Sequence, residues 1–285
     1  MIKHLVGKGR GLVATKSYKR GDIALFESAI CATLNTQETS THCSHCFRAM
    51  PESSSSSSSH NNTLHYCSHT CTENSTSLLD KCDVSVFDDV PTRRYPRLIA
   101  QLVSSSLSSS NFQSFWNDVL TLASPKNFSA HSVSDEYHKL KQCFAPVMPT
   151  ETHNIIFQNL PLEWYARMEG ILHVNAIGLN PLPVKSCSTD DPMLGYLATP
   201  DVGVGLFTKA SMLNHACDPS LVMYRDPSLA GPGVLFVASR DIRKHEELTI
   251  SYLAESKNME RRTRQEELMY KYGFNCDCRL CADTT

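Results

Sequence analysis

Seven of the twelve cysteines fall into three short-spaced groups, and that spacing constrains the fold more than any other feature of this 285-residue chain. Cys43-x2-Cys46 and Cys67-x3-Cys71 are two close pairs. Between them runs a low-complexity loop, Ser53 to Ser59, which buries no apolar area. Cys276-x-Cys278-x2-Cys281 lies at the other end of the sequence. The N-terminal stretch has no apolar core of signal-peptide length, and no run approaches a membrane span. A cytosolic or nuclear location is therefore expected, and in such a reducing compartment clustered cysteines read as metal ligands before disulfides.

A tetrahedral zinc site needs four ligands. The two upstream pairs complete one such site: Cys43, Cys46, Cys67 and Cys71. His42, His45, His65 and His69 are alternative ligands there, and Cys82 is a spare thiol. The C-terminal group supplies only Cys276, Cys278 and Cys281. Cys217 is the candidate fourth ligand, because its own neighbourhood holds no other ligand-rich segment. Two zinc ions are expected. The second would fold the tail back onto Ser211-Met-Leu-Asn-His-Ala-Cys-Asp-Pro-Ser220, beside Tyr272 and Phe274. That stretch is a poor helix and a poor strand, and it presents Asn214 and His215 to a polar ligand.

Hydrophobic content of 41% and charged content of 20% suit a soluble globular protein. A net charge of -2 gives no electrostatic footprint for nucleic acid. Gly7-Lys-Gly-Arg-Gly11 is a glycine-rich turn among short strands, and it lacks the Gly-Lys-Ser/Thr of a phosphate loop. Helical stripes are expected at Leu98/Ile99/Leu102/Val103, Phe112/Phe115/Trp116/Val119, Val133/Tyr137/Leu140/Phe144 and Trp164/Tyr165/Met168/Leu172. Ser104–Ser110 reads as a break between helices, and Pro161 as a first-turn residue. Short strands return at Gly203–Phe207, Leu221–Tyr224, Gly233–Ser239 and Leu248–Leu253, and a charged helix runs from Met259 to Tyr272.

Four motifs in order, Gly7-Lys-Gly-Arg-Gly, Asn214-His-x-Cys-x-Pro, Glu247-Leu-x-x-x-Tyr252 and Cys276-x-Cys-x2-Cys281, resemble those of the SET-domain lysine methyltransferases. The upstream cysteine segment and the helices after it narrow the resemblance to the SET and MYND-domain family. It implies a short, fungal-type member without the C-terminal helical domain. The implied fold is α+β, a mainly β SET fold of small sheets with a pseudoknot, a helical insertion and small zinc modules. Residues 1–40 and 173–253 would form the core, 41–85 a MYND-like module, 86–172 the helical insertion and 254–285 the post-SET segment.

The implied cofactor is S-adenosylmethionine, held by Lys8, Gly9, Arg10, Asn175, Asn214, His215, Tyr252, Tyr272 and Phe274, with Tyr252 as the catalytic tyrosine. The implied partner is a protein or peptide bearing a lysine, met by a monomer with no nucleic acid and no membrane. Methyl transfer from a sulfonium to an amine requires alignment of nucleophile, methyl and leaving sulfur. It also requires a neutral lysine, which an apolar channel favours. A tyrosine suits the channel wall, orienting the amine or the methyl through its hydroxyl.

Three departures from the family pattern stand out. Ser220 replaces a second Asn, His245 replaces a small residue before Glu-Glu-Leu, and the cysteine module has lost its middle pair and closing histidine. Ser220, the reduced cysteine module and the missing C-terminal helical domain motivate a competing expectation, an inactive SET-fold scaffold that binds a protein partner. Methyl transfer to a small molecule or a non-lysine site is a third.

Overall fold

A computed structural model describes residues 1–50, 64–75, 78–90, 95–125, 130–180, 201–225, 231–253 and 256–282. Ser53–Ser59 lies outside these residues. The chain divides into two units, residues 1–28, 208–226 and 233–285 forming one, and 29–207 with 227–232 the other. This division cuts across the expected segments: the early core strand at residues 31–34 pairs within the helical unit.

The first unit holds two small sheets. One orders as β1 (Ile2–Leu5), β2 (Gly9–Val13), β10 (Glu247–Ile250) and β7 (Asn214–His215). β10 is antiparallel to β2 and parallel to β7, with Thr249 opposite Asn214 and Ile250 opposite His215. The second is antiparallel: β3 (Ile23–Ser28), β9 (Gly233–Ala238) and β8 (Leu221–Tyr224). The C-terminal helices are α7 (Arg261–Tyr272) and the short α8 (Arg279–Ala282).

In the second unit α1 (His69–Asn74) belongs to the cysteine module. The helical body comprises α2 (Pro96–Ser108), α3 (Phe112–Leu120), α4 (Ser134–Phe144), α5 (Thr150–Asn159) and α6 (Leu162–Asn175). The apolar stripes of α2, α4 and α6 turn inward, and Leu98, Ile99, Leu140, Phe144, Met168 and Leu172 are fully buried, while α3 buries Trp116 and Val119 and leaves Phe112 exposed. A third antiparallel sheet orders as β4 (Cys31–Leu34), β6 (Gly203–Leu206) and β5 (Ile177–Leu179).

Two expectations need correction. The serine run is not a break until Ser109, because α2 continues to Ser108 with its buried hydroxyls satisfied. Ser104 Oγ accepts from the Leu79 N–H at 3.1 Å, and the Ser106 hydroxyl donates to the Val103 carbonyl at 2.7 Å. Asn111 then caps α3 by accepting from the Ser114 N–H at 2.9 Å. Helix α5 was not expected, since it buries only Phe157 and leaves Ile155 exposed, so its sequence carries no clean stripe.

Candidate functional site

The stretch 211–220 is delivered by a buried carboxylate. Glu27 accepts from the Thr208 hydroxyl at 3.0 Å and from the N–H groups of Lys209 and Ala210 at 2.8 and 2.7 Å. These bonds clamp the start of the single 3-10 turn Ala210–Met212, which leads into Asn214. The Asn214 amide donates to the Arg10 carbonyl at 3.2 Å and to Glu247 Oε1 at 2.9 Å. Glycine at position 11 leaves room for the Asn214 amide, since a Cβ there would come within 2.7 Å of Asn214 Nδ2 and 2.5 Å of Leu5 Cδ1 and displace both side chains.

Glu247 also accepts from the Lys8 ammonium at 3.0 Å, and Asp277 lies 3.7 Å from the same nitrogen. Partial burial pulls the Lys8 pKa down, but the bond to Glu247 and the charges of Glu247 and Asp277 outweigh it and raise it. Lys8, Arg10, Asn214 and Glu247 thus meet where β2, β10 and β7 lie side by side.

His215 joins this corner to the cysteines. Its Nδ1 accepts from the Tyr252 N–H at 2.9 Å, so the ring proton sits on Nε2, 3.2 Å from Cys217 Sγ. Burial, and then the positive charges of Arg264 and Lys8, push its pKa down to about 4, and the imidazole is neutral. Around it Tyr252, Tyr272 and Phe274 form an aromatic cluster. Ring centroids are 5.3 Å apart for His215–Tyr252, 4.8 Å for Tyr252–Tyr272 and 6.1 Å for His215–Phe274. Gly273, at φ 75°, closes α7 with bonds to the Leu268 and Met269 carbonyls and turns the chain between Tyr272 and Phe274. The Tyr252 hydroxyl donates to the Leu213 carbonyl at 2.7 Å. Burial first, then Tyr272 and Glu247, raise its pKa and hold it as the neutral phenol.

The sulfurs of Cys217, Cys276, Cys278 and Cys281 all lie within 4.8 Å of one another. Cys217–Cys276 is 3.9 Å and Cys217–Cys281 3.5 Å. A Zn–S bond of about 2.3 Å in a tetrahedron sets sulfur pairs roughly 3.8 Å apart. The donor set and its size therefore fit zinc. Gln265 fastens α7 to this group, donating to the Cys276 carbonyl at 2.6 Å and accepting its N–H at 2.8 Å. Leu268 packs beneath it, fully buried with Leu253.

Cys43, Cys46, Cys67 and Cys71 form the second such group, with Cys46–Cys67 at 3.6 Å and Cys67–Cys71 at 3.7 Å. Ser68 caps α1 by accepting from the Cys71 N–H at 3.2 Å. The alternative histidines are outside the group. His69 is exposed and faces Glu73, and His42 faces Glu38. Cys82 is also outside it, buried with its sulfur 3.5 Å from the Leu78 carbonyl.

Of the nine residues that the resemblance assigns to the cofactor, eight lie in the first unit. Asn175 lies in the second, ending α6, where its amide donates to the Ala123 and Ile171 carbonyls, both at 2.7 Å. Ser220, the departure at the end of the Asn-His stretch, is fully buried and acts in the fold. Its Oγ accepts from the Thr249 N–H at 2.9 Å and its N–H donates to Thr249 Oγ1 at 3.0 Å. His245 takes φ 72° at the third position of a turn closed by the Glu246 N–H to the Arg243 carbonyl. Left-handed backbone there explains why a small residue is the family norm.

The SET domain profile matches residues 103–253, just over half the chain. The chain belongs to the SET-domain family, in its SET and MYND branch. It is similar to the histone-lysine N-methyltransferase ASHR2 of Arabidopsis thaliana, 25% identical over 98% of this chain and 71% of the relative. A SET and MYND domain-containing protein of Dictyostelium discoideum is 25% identical over 76% of this chain, which spans 63% of that relative's length. The human histone-lysine N-methyltransferase SMYD3 is 44% identical over a shorter match of 81 residues, 28% of this chain and 18% of that protein. A solved SET domain, that of LSMT bound to lysine and AdoHcy, aligns over 97% of this chain and 52% of that one at 15% identity and a TM-score of 0.40, a likeness that carries no inference of its own.

Proposed function

We propose that this chain is an S-adenosylmethionine-dependent methyltransferase acting on lysine side chains of histone or other proteins in the cytosol or nucleus. The observation that carries the reading is the convergence, in one unit, of Lys8, Asn214 and His215 with the rings of Tyr252, Tyr272 and Phe274. When bound, S-adenosylmethionine supplies a methyl group on a positively charged sulfur. Lys8 is the cation suited to its carboxylate, the Asn214 amide to its polar atoms, and Tyr272 and Phe274 to its base. Gly9 and Arg10 offer the backbone and side chain of the adjoining turn.

Tyr252 acts as an orienting group. Its phenol stays neutral and its proton is engaged by Leu213, so the oxygen's lone pairs remain to face the acceptor amine or the methyl. The substrate lysine, with an ordinary pKa of about 10.4, must lose its proton. The apolar ring walls disfavour the ammonium and work in that direction. The two cysteine groups would each hold one zinc ion as structural staples. The residue that argued for an inactive scaffold, Ser220, is occupied by Thr249 in the fold, and its departure from the family Asn leaves the Asn214–His215 corner intact.

The test is transfer of tritiated methyl from S-adenosylmethionine to core histones and to whole-cell extract by the zinc-loaded chain. Labelled methyl-lysine is expected in at least one protein. Cofactor binding without transfer to any of them would leave the scaffold reading instead.

A further inference from the structure

Arg264 sits in the first turn of α7, only 4% exposed, among the cysteines of the C-terminal group. A guanidinium taken out of water needs an opposing charge. Among the described residues no carboxylate lies within ion-pair distance of it. Its Nη1 donates to the Met259 carbonyl at 2.5 Å and its Nη2 to the Leu280 carbonyl at 3.2 Å. Its Nε finds no hydrogen-bond partner among the described residues. Its further contacts are with sulfur: Nη2 lies 3.5 Å from Cys281 Sγ, and Cys217 also interacts with the guanidinium. Two carbonyl dipoles do not neutralise a full positive charge. Four thiolates around one zinc carry a net charge of -2, and that is the charge the buried cation matches.

We propose that Arg264 is the counter-charge of the Cys217/Cys276/Cys278/Cys281 metal site, donating to its ligand sulfur and stabilising the metal-loaded state. This rests on the reading of that group as a zinc site. The donor set around the ligands is then graded: Arg264 serves Cys281, the His215 ring serves Cys217, and the Cys278 N–H, at 3.4 Å, serves Cys276. Groups that hydrogen-bond metal ligands typically change metal affinity by about 10–100-fold.

The experiment uses the full chain with both sites filled, first with zinc and then with cadmium-113. Arg264→Met keeps the aliphatic packing and removes the charge and all donors. Chelator competition is expected to show one of the two metals held about 10–100-fold more weakly, with Arg264→Lys recovering part of the loss. Cadmium NMR is expected to show two resonances in the parent chain, of which Arg264→Met shifts one. The unmoved resonance reports that the other site, and the fold around it, is intact. If Arg264→Met does not fold, Arg264→Gln carries the same measurement. Unchanged affinity together with two unmoved resonances would overturn the proposal, as would Arg264→Lys no better than Arg264→Met. A parent chain that binds no metal at Cys217 and the tail would instead overturn the zinc reading itself.

Discussion

Replacing Tyr252 by Phe removes one atom and leaves the ring. The ring contacts to His215, Tyr272 and Phe274 survive, as does the backbone N–H donated to His215. The bond to the Leu213 carbonyl is lost, and Leu213 is itself only 1% exposed. Losing one such bond costs about 1 kcal/mol, or roughly 2–4 °C in melting temperature for a chain of this size. Cofactor affinity should stay within about threefold, while single-turnover methyl transfer should fall about 10²–10³-fold, the range for removing one preorganised polar group at a reacting centre. Thermal melting, calorimetry and rapid-quench transfer separate the three quantities. A lower melting temperature with an unchanged transfer rate would reduce Tyr252 to a strut for Leu213 and refute its catalytic role. The same variant has an alkaline signature. Burial raises the pKa of both Tyr66 and Tyr252, so the unfolded chain releases these protons first, near pH 10. Stability is therefore lost as pH rises past about 10, and Tyr252→Phe should make that loss shallower.

Three further outcomes follow from other parts of the site. Glu27→Gln keeps one acceptor oxygen and turns an amide donor toward the clamped N–H groups, so it should lower stability by roughly 2–4 kcal/mol. It should also weaken cofactor binding; denaturant melts with unchanged cofactor affinity would show that the clamp does not set Asn214. His245→Gly relieves a left-handed backbone position and should stabilise by about 1 kcal/mol, and a lower melting temperature would contradict the strain argument. Cys278→Ser should release one zinc of two and weaken cofactor affinity, since the post-SET sulfurs hold Tyr272 and Phe274 in place; full affinity in the metal-depleted variant would break that link.

Much of the site was legible because its chemistry has arithmetic. Three tail thiolates need a fourth ligand, and Cys217 is brought to within 3.5 Å of Cys281. Asn214 and His215 were legible as adjacent polar groups in a segment that suits neither helix nor strand. Glu27, Gln265 and Arg264 were not, although they position the corner and the cysteines. Glu27 meets its partners 181 to 183 positions away, and Gln265 and Arg264 sit in the charged run Glu260–Glu267, so neither period nor spacing announces them. The helical body was readable wherever a stripe is buried on one face. It failed at Ser104 and Ser106, where hydroxyls bonded to backbone groups let polar residues enter the core, and at α5, which buries little. The bonds of Ser220 were not legible either, because its partner, Thr249, lies on β10, 29 positions along the chain.

The corner of Lys8, Asn214, His215 and the aromatic rings is proposed to bind S-adenosylmethionine. Calorimetric titration of that compound into the zinc-loaded full chain tests it most directly. One equivalent bound, with affinity lost in Asn214→Ala while the chain stays folded, is the predicted result. No heat of binding from the folded, zinc-loaded chain would contradict it.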